Sequence, residues 1–167
     1  MENFDEKPDS PVRIAMNYGA VIAVLMLGVS FVGWQKISWI VFLFGIYKGM
    51  KRYRRELGGA IDYFRALLAG FQTAFFTSSI LAFVAYVTAT LDPSVIDTAI
   101  ASMEQQLNET NTLLRQFVDA SVIQQARKMM SPVMFAALCL FRYCAIGGLA
   151  SILFAFFVRR LLIFVKY

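Results

Sequence analysis

The sequence predicts an all-α integral membrane protein, with four transmembrane helices and an extracytoplasmic amphipathic helical segment between the third and the fourth. Three observations predict it. Of 167 residues, 59% are hydrophobic and only 16% are charged, against about a quarter charged in an average soluble domain. The mean hydropathy of +0.61 is concentrated in long apolar blocks of roughly bilayer length. Two prolines that follow capping residues, Asp92-Pro93 and Ser131-Pro132, stand where new helices should begin. Little is left for a soluble domain, so residues 1–167 are expected to form a single membrane domain.

The first block, residues 14–34, is free of charge, and its acidic start from Glu2 to Asp9 is unlike the basic start of a cleaved signal peptide. It is expected to be a retained span. The second, residues 37–50, has eleven residues before Lys48 and is the weakest. On length alone it could be a re-entrant or interfacial helix; the favoured expectation is a short or bilayer-thinning span, with Trp34 and Trp39 as interfacial anchors and Lys48 snorkelling to headgroups. The third and fourth, residues 64–91 and 133–158, are long enough to cross outright. Between them, residues 93–130 show an apolar face of Ile96, Ile100, Met103 and Leu107, continued by Leu114 and Phe117. Asn108 to Asn111 is expected to break this segment into two short helices lying on the span ends.

Lys and Arg near span ends are retained on the cytoplasmic side. Lys48, Lys51, Arg52, Arg54, Arg55 and Arg65 fall between the second and third spans, and Arg159, Arg160 and Lys166 follow the fourth; Lys7 and Arg13 precede the first. Only Lys36, Arg115, Arg127 and Lys128 fall on the other side, so both termini are expected in the cytoplasm.

Small residues at four-residue spacing let helix backbones approach closely in lipid, where packing replaces the hydrophobic drive. Each span has such a ladder: Gly19 in the first, Gly45 and Gly49 in the second, Gly70, Ala74 and Ser78 in the third, Gly147 and Ser151 in the fourth. They predict a compact bundle, with self-association as the alternative use. Thr73, Thr77, Ser78 and Ser79 are expected to satisfy their hydroxyls on the preceding turn's carbonyls.

Chemistry is sparsely supplied. There is no His, and Cys139 and Cys144 are five apart on one helix, so neither metal sites nor a disulfide framework is expected. Proton or ion relays built from Asp, Glu or His chains find none within the spans. The prediction is therefore no enzyme, no metal and no cofactor. Of the carboxylates, Asp92 is read as a cap and Asp62 as a neighbour of Arg65 one turn on. Arg142 is the one charge inside a span and is placed near the outer surface; with Asn17 and Gln72 it is the candidate contact for a lipid phosphate. The cytoplasmic loop, residues 48–65, carries the candidate partner- or lipid-binding residues Lys48, Lys51, Arg52, Arg54 and Arg55. A basic run leaving a membrane helix attracts anionic lipid more simply than it binds nucleic acid. Gly58 and Gly59 lack the context of a phosphate loop and are read as a helix stop.

The stretch Tyr47-Lys48-Gly49-Met50-Lys51-Arg52-Tyr53-Arg54, followed by Leu57-Gly58-Gly59-Ala60-Ile61-Asp62-Tyr63-Phe64-Arg65-Ala66 and Gly70, resembles the bacterial membrane family catalogued as domain of unknown function 4199. So do Leu91-Asp92-Pro93 and Met129-Met130-Ser131-Pro132, in the same order along the whole chain. The resemblance implies four spans in a bacterial inner membrane. Arg142 departs from the family's apolar fourth span. Genes of that family often neighbour a glycosyltransferase similar to polyprenyl-phosphate sugar synthases, which implies a partner in lipid-linked sugar metabolism. The leading expectation is a non-enzymatic accessory or scaffold subunit. The alternative is a small oligomeric carrier or flippase for a lipid-linked sugar, which needs Arg142, Asn17 and Gln72 on one cavity.

Overall fold

The computed structural model describes residues 10–31, 35–59, 61–110 and 129–160. Trp34, residues 111–128 and Lys166 lie outside the described residues, as do the side chains of Lys36, Met103, Leu107, Arg159 and Arg160. The described residues form five α-helices and no strand: α1 (Pro11–Phe31), α2 (Gln35–Glu56), α3 (Tyr63–Leu91), α4 (Ser94–Thr110) and α5 (Pro132–Arg160).

Three helices begin by the same device. Ser10 Oγ accepts the Arg13 amide at 3.3 Å, Asp92 Oδ1 the Ser94 amide at 3.0 Å, and Ser131 Oγ the Met134 amide at 3.2 Å. A proline follows each cap, where its missing N–H costs nothing and its fixed φ already suits a helix. The Ser10-Pro11 pair starts α1 three residues before the apolar block does. α2 stops at the two glycines, with φ of 74° at Gly58 and 93° at Gly59. Their amides close on Arg55 O at 3.1 Å and Arg54 O at 3.0 Å, a left-handed stop that side chains with a Cβ resist.

The cap at Asp92 is charged. Hydrogen bonds from Ser94 hold its carboxyl below the usual value of 3.8. A depressed acid contributes stability above its unfolded pKa and loses it as pH falls through the folded value. Protection of the first-turn amides of α4, taken relative to their intrinsic exchange at the same pH, is therefore expected to fall as pH drops below 3.8. In Asp92→Asn, which still caps, that acid-dependent step should vanish; exchange rates tracking those of the parent through the same pH range would exclude the carboxylate as its cause.

The chain divides into two compact units, Met1–Leu81 with Leu140–Tyr167, and Ala82–Cys139. In the second, Ile96 and Ile100 of α4 are buried with Ala89, and Met130 and Phe135 pack on them. This is the apolar face expected from their spacing. α4 runs on through Asn108 and Glu109 to Thr110, so the expected break does not precede that residue.

In the first unit, α2 supplies the centre. Phe42, Ile46 and Met50, one turn apart, are the largest wholly buried apolar side chains, each 0% exposed. Around them lie Ile22, Ala23 and Met26 of α1, Ala66 and Ala74 of α3, and Ala155 and Val158 of α5. α1 and α2 run antiparallel: Gly45 receives the side chain of Ile22, and Gly49 faces Tyr18 and Thr73. α2 and α5 run parallel, because Trp39 stacks on Tyr143 and Arg54 reaches Val158, both pairs 104 residues apart. α3 and α5 meet along a seam of small residues, where Gly70 faces Ser151 and Gly147 faces Ala74. Thr73, Ser78 and Ser151 donate to carbonyls one turn back at 2.7–2.8 Å, and Ser79 does so at 2.9 Å. Thr77 shares its proton between Thr73 O at 2.9 Å and Gly19 O of α1 at 3.3 Å. Buried hydroxyls thus stay paired without breaking a helix.

Candidate functional site

α2 sorts its basic residues by face. Phe42, Ile46, Met50 and Arg54 follow one another at four-residue steps on the inner face, while Lys48, Lys51, Arg52 and Arg55 fall on the opposite side and are exposed. Sequence spacing alone groups Arg54 with the others. The fold sets it apart, since its Nε donates to Gly59 O at 2.8 Å and its Nη1 to Val158 O at 3.1 Å. It therefore ties the turn after α2 to the last turns of α5, where free carbonyls and the helix dipole favour a cation.

The outward four are arranged as a stripe. Lys48 Nζ stands 5.1 Å from the Phe44 ring centroid, and Arg52 pairs with Glu56 at 2.6 Å, one turn on. Such exposed pairs are worth at most about 1 kcal/mol, so the stripe remains a cationic surface. Arg65, past the turn in the first turn of α3, is exposed, and it makes no ion pair with Asp62, also exposed, although the two are three residues apart. Among the described residues, no three His, Cys, Asp or Glu side chains could share a metal ion.

Arg142 is exposed on α5, with its guanidinium carbon 5.2 Å from the Trp39 ring centroid. Trp39 in turn stacks on Tyr143, ring centroids 5.1 Å apart, and meets Phe42 edge-on at 6.2 Å. The cation sits on an aromatic platform, an attraction of about 1 kcal/mol at an exposed site. Trp39 was expected as an interfacial anchor; its partnership with Arg142 and Tyr143 was not legible, because about a hundred residues of chain separate the two helices.

Asn17 and Gln72 do not join Arg142. Asn17 is exposed on α1 one residue from Tyr18, which meets Gly49, and so lies near the level of Met50, which meets Gly70 beside Ser151. Arg142 is nine residues before Ser151, about 13 Å along the helix axis. Gln72 lies two residues from Gly70, and its Oε1 is buried without a hydrogen-bond partner among the described residues. Of the expected packing residues, Gly19, Gly49, Gly70, Ala74, Ser78, Gly147 and Ser151 are buried and Gly45 is half-buried.

The helices Val12–Ser30, Tyr63–Leu91 and Pro132–Val158 are long and apolar enough to cross a membrane. With their many outward-facing large apolar side chains, among them Leu25, Phe83 and Phe141, they define a protein of the membrane type, all-helical among the described residues. The chain belongs to the family described as protein of unknown function (DUF4199), whose family model matches residues 14–160. No curated protein and no solved structure matches the chain.

Proposed function

We propose that the chain is a non-enzymatic accessory or scaffold subunit of the bacterial inner membrane, crossing four times as a four-helix bundle with both termini in the cytoplasm and α4 outside. The observation that carries this reading is the sorting of α2 into a wholly buried stripe and an exposed cationic one. A helix held on its inner face by Phe42, Ile46 and Met50, and tied at its end by Arg54, presents Lys48, Lys51, Arg52 and Arg55 rigidly. That surface suits anionic lipid and an acidic cytoplasmic partner. At 22 residues α2 is about 33 Å long, and its partnership with α1 and α5 favours a fourth crossing despite its charged end. A glycosyltransferase of lipid-linked sugar metabolism is the partner to seek first, on the company that the family resemblance implies.

Affinity purification in mild detergent tests this. Changing Lys48, Lys51, Arg52 and Arg55 together to Ala, with Arg54 kept, should reduce recovery of a co-purifying enzyme at least about tenfold, given ~1 kcal/mol per basic residue. Undiminished recovery would remove the basic stripe from the interface. The unpartnered Gln72 Oε1 is the one observation that favours a carrier or flippase, acting as a homo-oligomer. Recovery of an oligomer holding only a polyprenyl lipid would establish that reading instead.

A further inference from the structure

Arg142 stands apart from the cationic stripe. It lies sixteen residues before Val158, so about 24 Å of helix axis separates it from the end that Arg54 ties. Its seat is the Trp39 ring, 5.2 Å away. A ring contact engages none of the five guanidinium N–H donors, and none of them meets an acceptor among the described residues. The helices around it offer no anion. α1, α3 and α5 contain no Asp or Glu. α2 has only Glu56, its last residue, seventeen positions beyond Trp39 or about 25 Å. The one other charge in α2 before Lys48 is Lys36, itself basic. A second copy would bring the same helices, so pairing copies through them supplies no carboxylate either.

Depth sets the chemistry of the missing anion. Trp39 is four residues, about 6 Å, from Gln35, where α2 begins. Around it Ile40 of α2 and Phe141 and Leu149 of α5 are exposed. The cation therefore stands near a helix end yet within an apolar surface. Trp39 and Tyr143, stacked at that level, are the residue types of an interfacial belt. A helical side chain leans toward the N-terminus of its helix. For α5, parallel to α2, that is the direction of the Gln35 end, so Arg142 leans out of the hydrocarbon. An unpaired charge is costly there, whereas a phosphate accepts two N–H bonds from the planar fork. We infer that Arg142, on its Trp39 seat, holds the phosphate of an anionic phospholipid in the leaflet opposite the cationic stripe of α2. This rests on the reading that α2 and α5 both cross the membrane, but on no partner enzyme.

The test uses the full chain as Trp34→Phe, which leaves Trp39 the only tryptophan. It is reconstituted in phosphatidylcholine vesicles in which one tenth of the lipid is brominated near the headgroup end of its acyl chains. Quenching of Trp39 emission reports which lipid sits beside it. Brominated phosphatidylglycerol is expected to quench as if enriched about fivefold over brominated phosphatidylcholine. Arg142→Gln should bring that ratio close to one. Arg65→Gln, which removes an exposed cation at the other end of the unit, five residues before the Gly70 that meets Ser151, should leave it unchanged. Should Arg142→Gln not fold, brominated diacylglycerol decides with Arg142 in place: lacking a phosphate, it should quench less than either phospholipid. Equal quenching by all three lipids, or a ratio indifferent to Arg142→Gln in a folded protein, would overturn the inference while leaving the crossing of α2 intact. So would a ratio lost equally in Arg65→Gln. Absence of any quenching in protein that floats with the vesicles would overturn both.

Discussion

Gly147→Ala is expected to destabilise the protein, against the direction that helix propensity alone gives. Exchanging glycine for alanine inside a helix ordinarily gains about 1 kcal/mol. Here the new methyl would stand 2.5 Å from Ala74 Cβ and 3.1 Å from the Phe42 ring. Ala74 Cβ is fixed to its backbone and cannot turn aside, so relief requires parting α3 from α5. Overpacking of this kind costs about 1–3 kcal/mol for small additions, and Gly147→Val should reach the upper end. Unfolding equilibria in mixed micelles, followed by circular dichroism, measure it. Two controls fix the cause. Gly28 has nothing within 4 Å of an added Cβ, so Gly28→Ala should be neutral or stabilising. Ala74→Gly should recover most of the loss in Gly147→Ala, because it removes the opposing methyl. A double variant no more stable than Gly147→Ala alone would place the strain elsewhere.

Arg54 should separate stability from binding. Arg54→Met keeps the length of the side chain and removes its bonds to Gly59 O and Val158 O. Bonds from a charged donor contribute about 1.5–3 kcal/mol each, less where water competes. Arg54 is half-buried, so a loss of about 2 kcal/mol is expected, with faster amide exchange at the end of α5. Arg54→Lys should recover only part of it, because an ammonium lacks the planar fork that spans two carbonyls. Lys51→Met and Arg55→Met, on the exposed stripe, should stay within about 0.5 kcal/mol of the parent. If Arg54→Met is as mild as those two, the tie between the helices contributes nothing.

Both predictions concern residues whose sequence spacing points to other or broader roles. Gly147 is legible as one rung of a small-residue ladder. Which rung meets which methyl is not legible, since a ladder gives a face but not the register of its neighbour. Arg54 illustrates the complementary difficulty. Five cations within eight residues, from Lys48 to Arg55, look alike until the helix continues past Met50. The apolar block ends there, but backbone hydrogen bonding does not, and the continued turn carries Arg54 inward while its neighbours stay outside.

The sequence by itself determined the helical class, the bounds of α3 and α5 to within about two residues, the start of α4, the glycine stop after α2, and the self-satisfaction of the buried hydroxyls. Each is local: a cap, a proline, a left-handed glycine or an i−4 bond involves residues within a few positions. The Ser10-Pro11 start of α1 is equally local, but it was expected three residues later, where the apolar block begins. Only the tertiary structure decided that the least apolar of the long helices is the centre of the first unit. Hydropathy sums a helix over all its faces, whereas burial acts on one. α2 loses its apolar average to Lys48, Lys51, Arg52 and Arg55 on the outer face, yet its inner face is Phe42, Ile46 and Met50. The aromatic seat of Arg142 and its distance from Asn17 were likewise invisible, because each depends on which residues of separate helices stand at one level. That level is set by close packing, at Gly70 on Ser151 and Gly147 on Ala74, and by no pattern within a single helix.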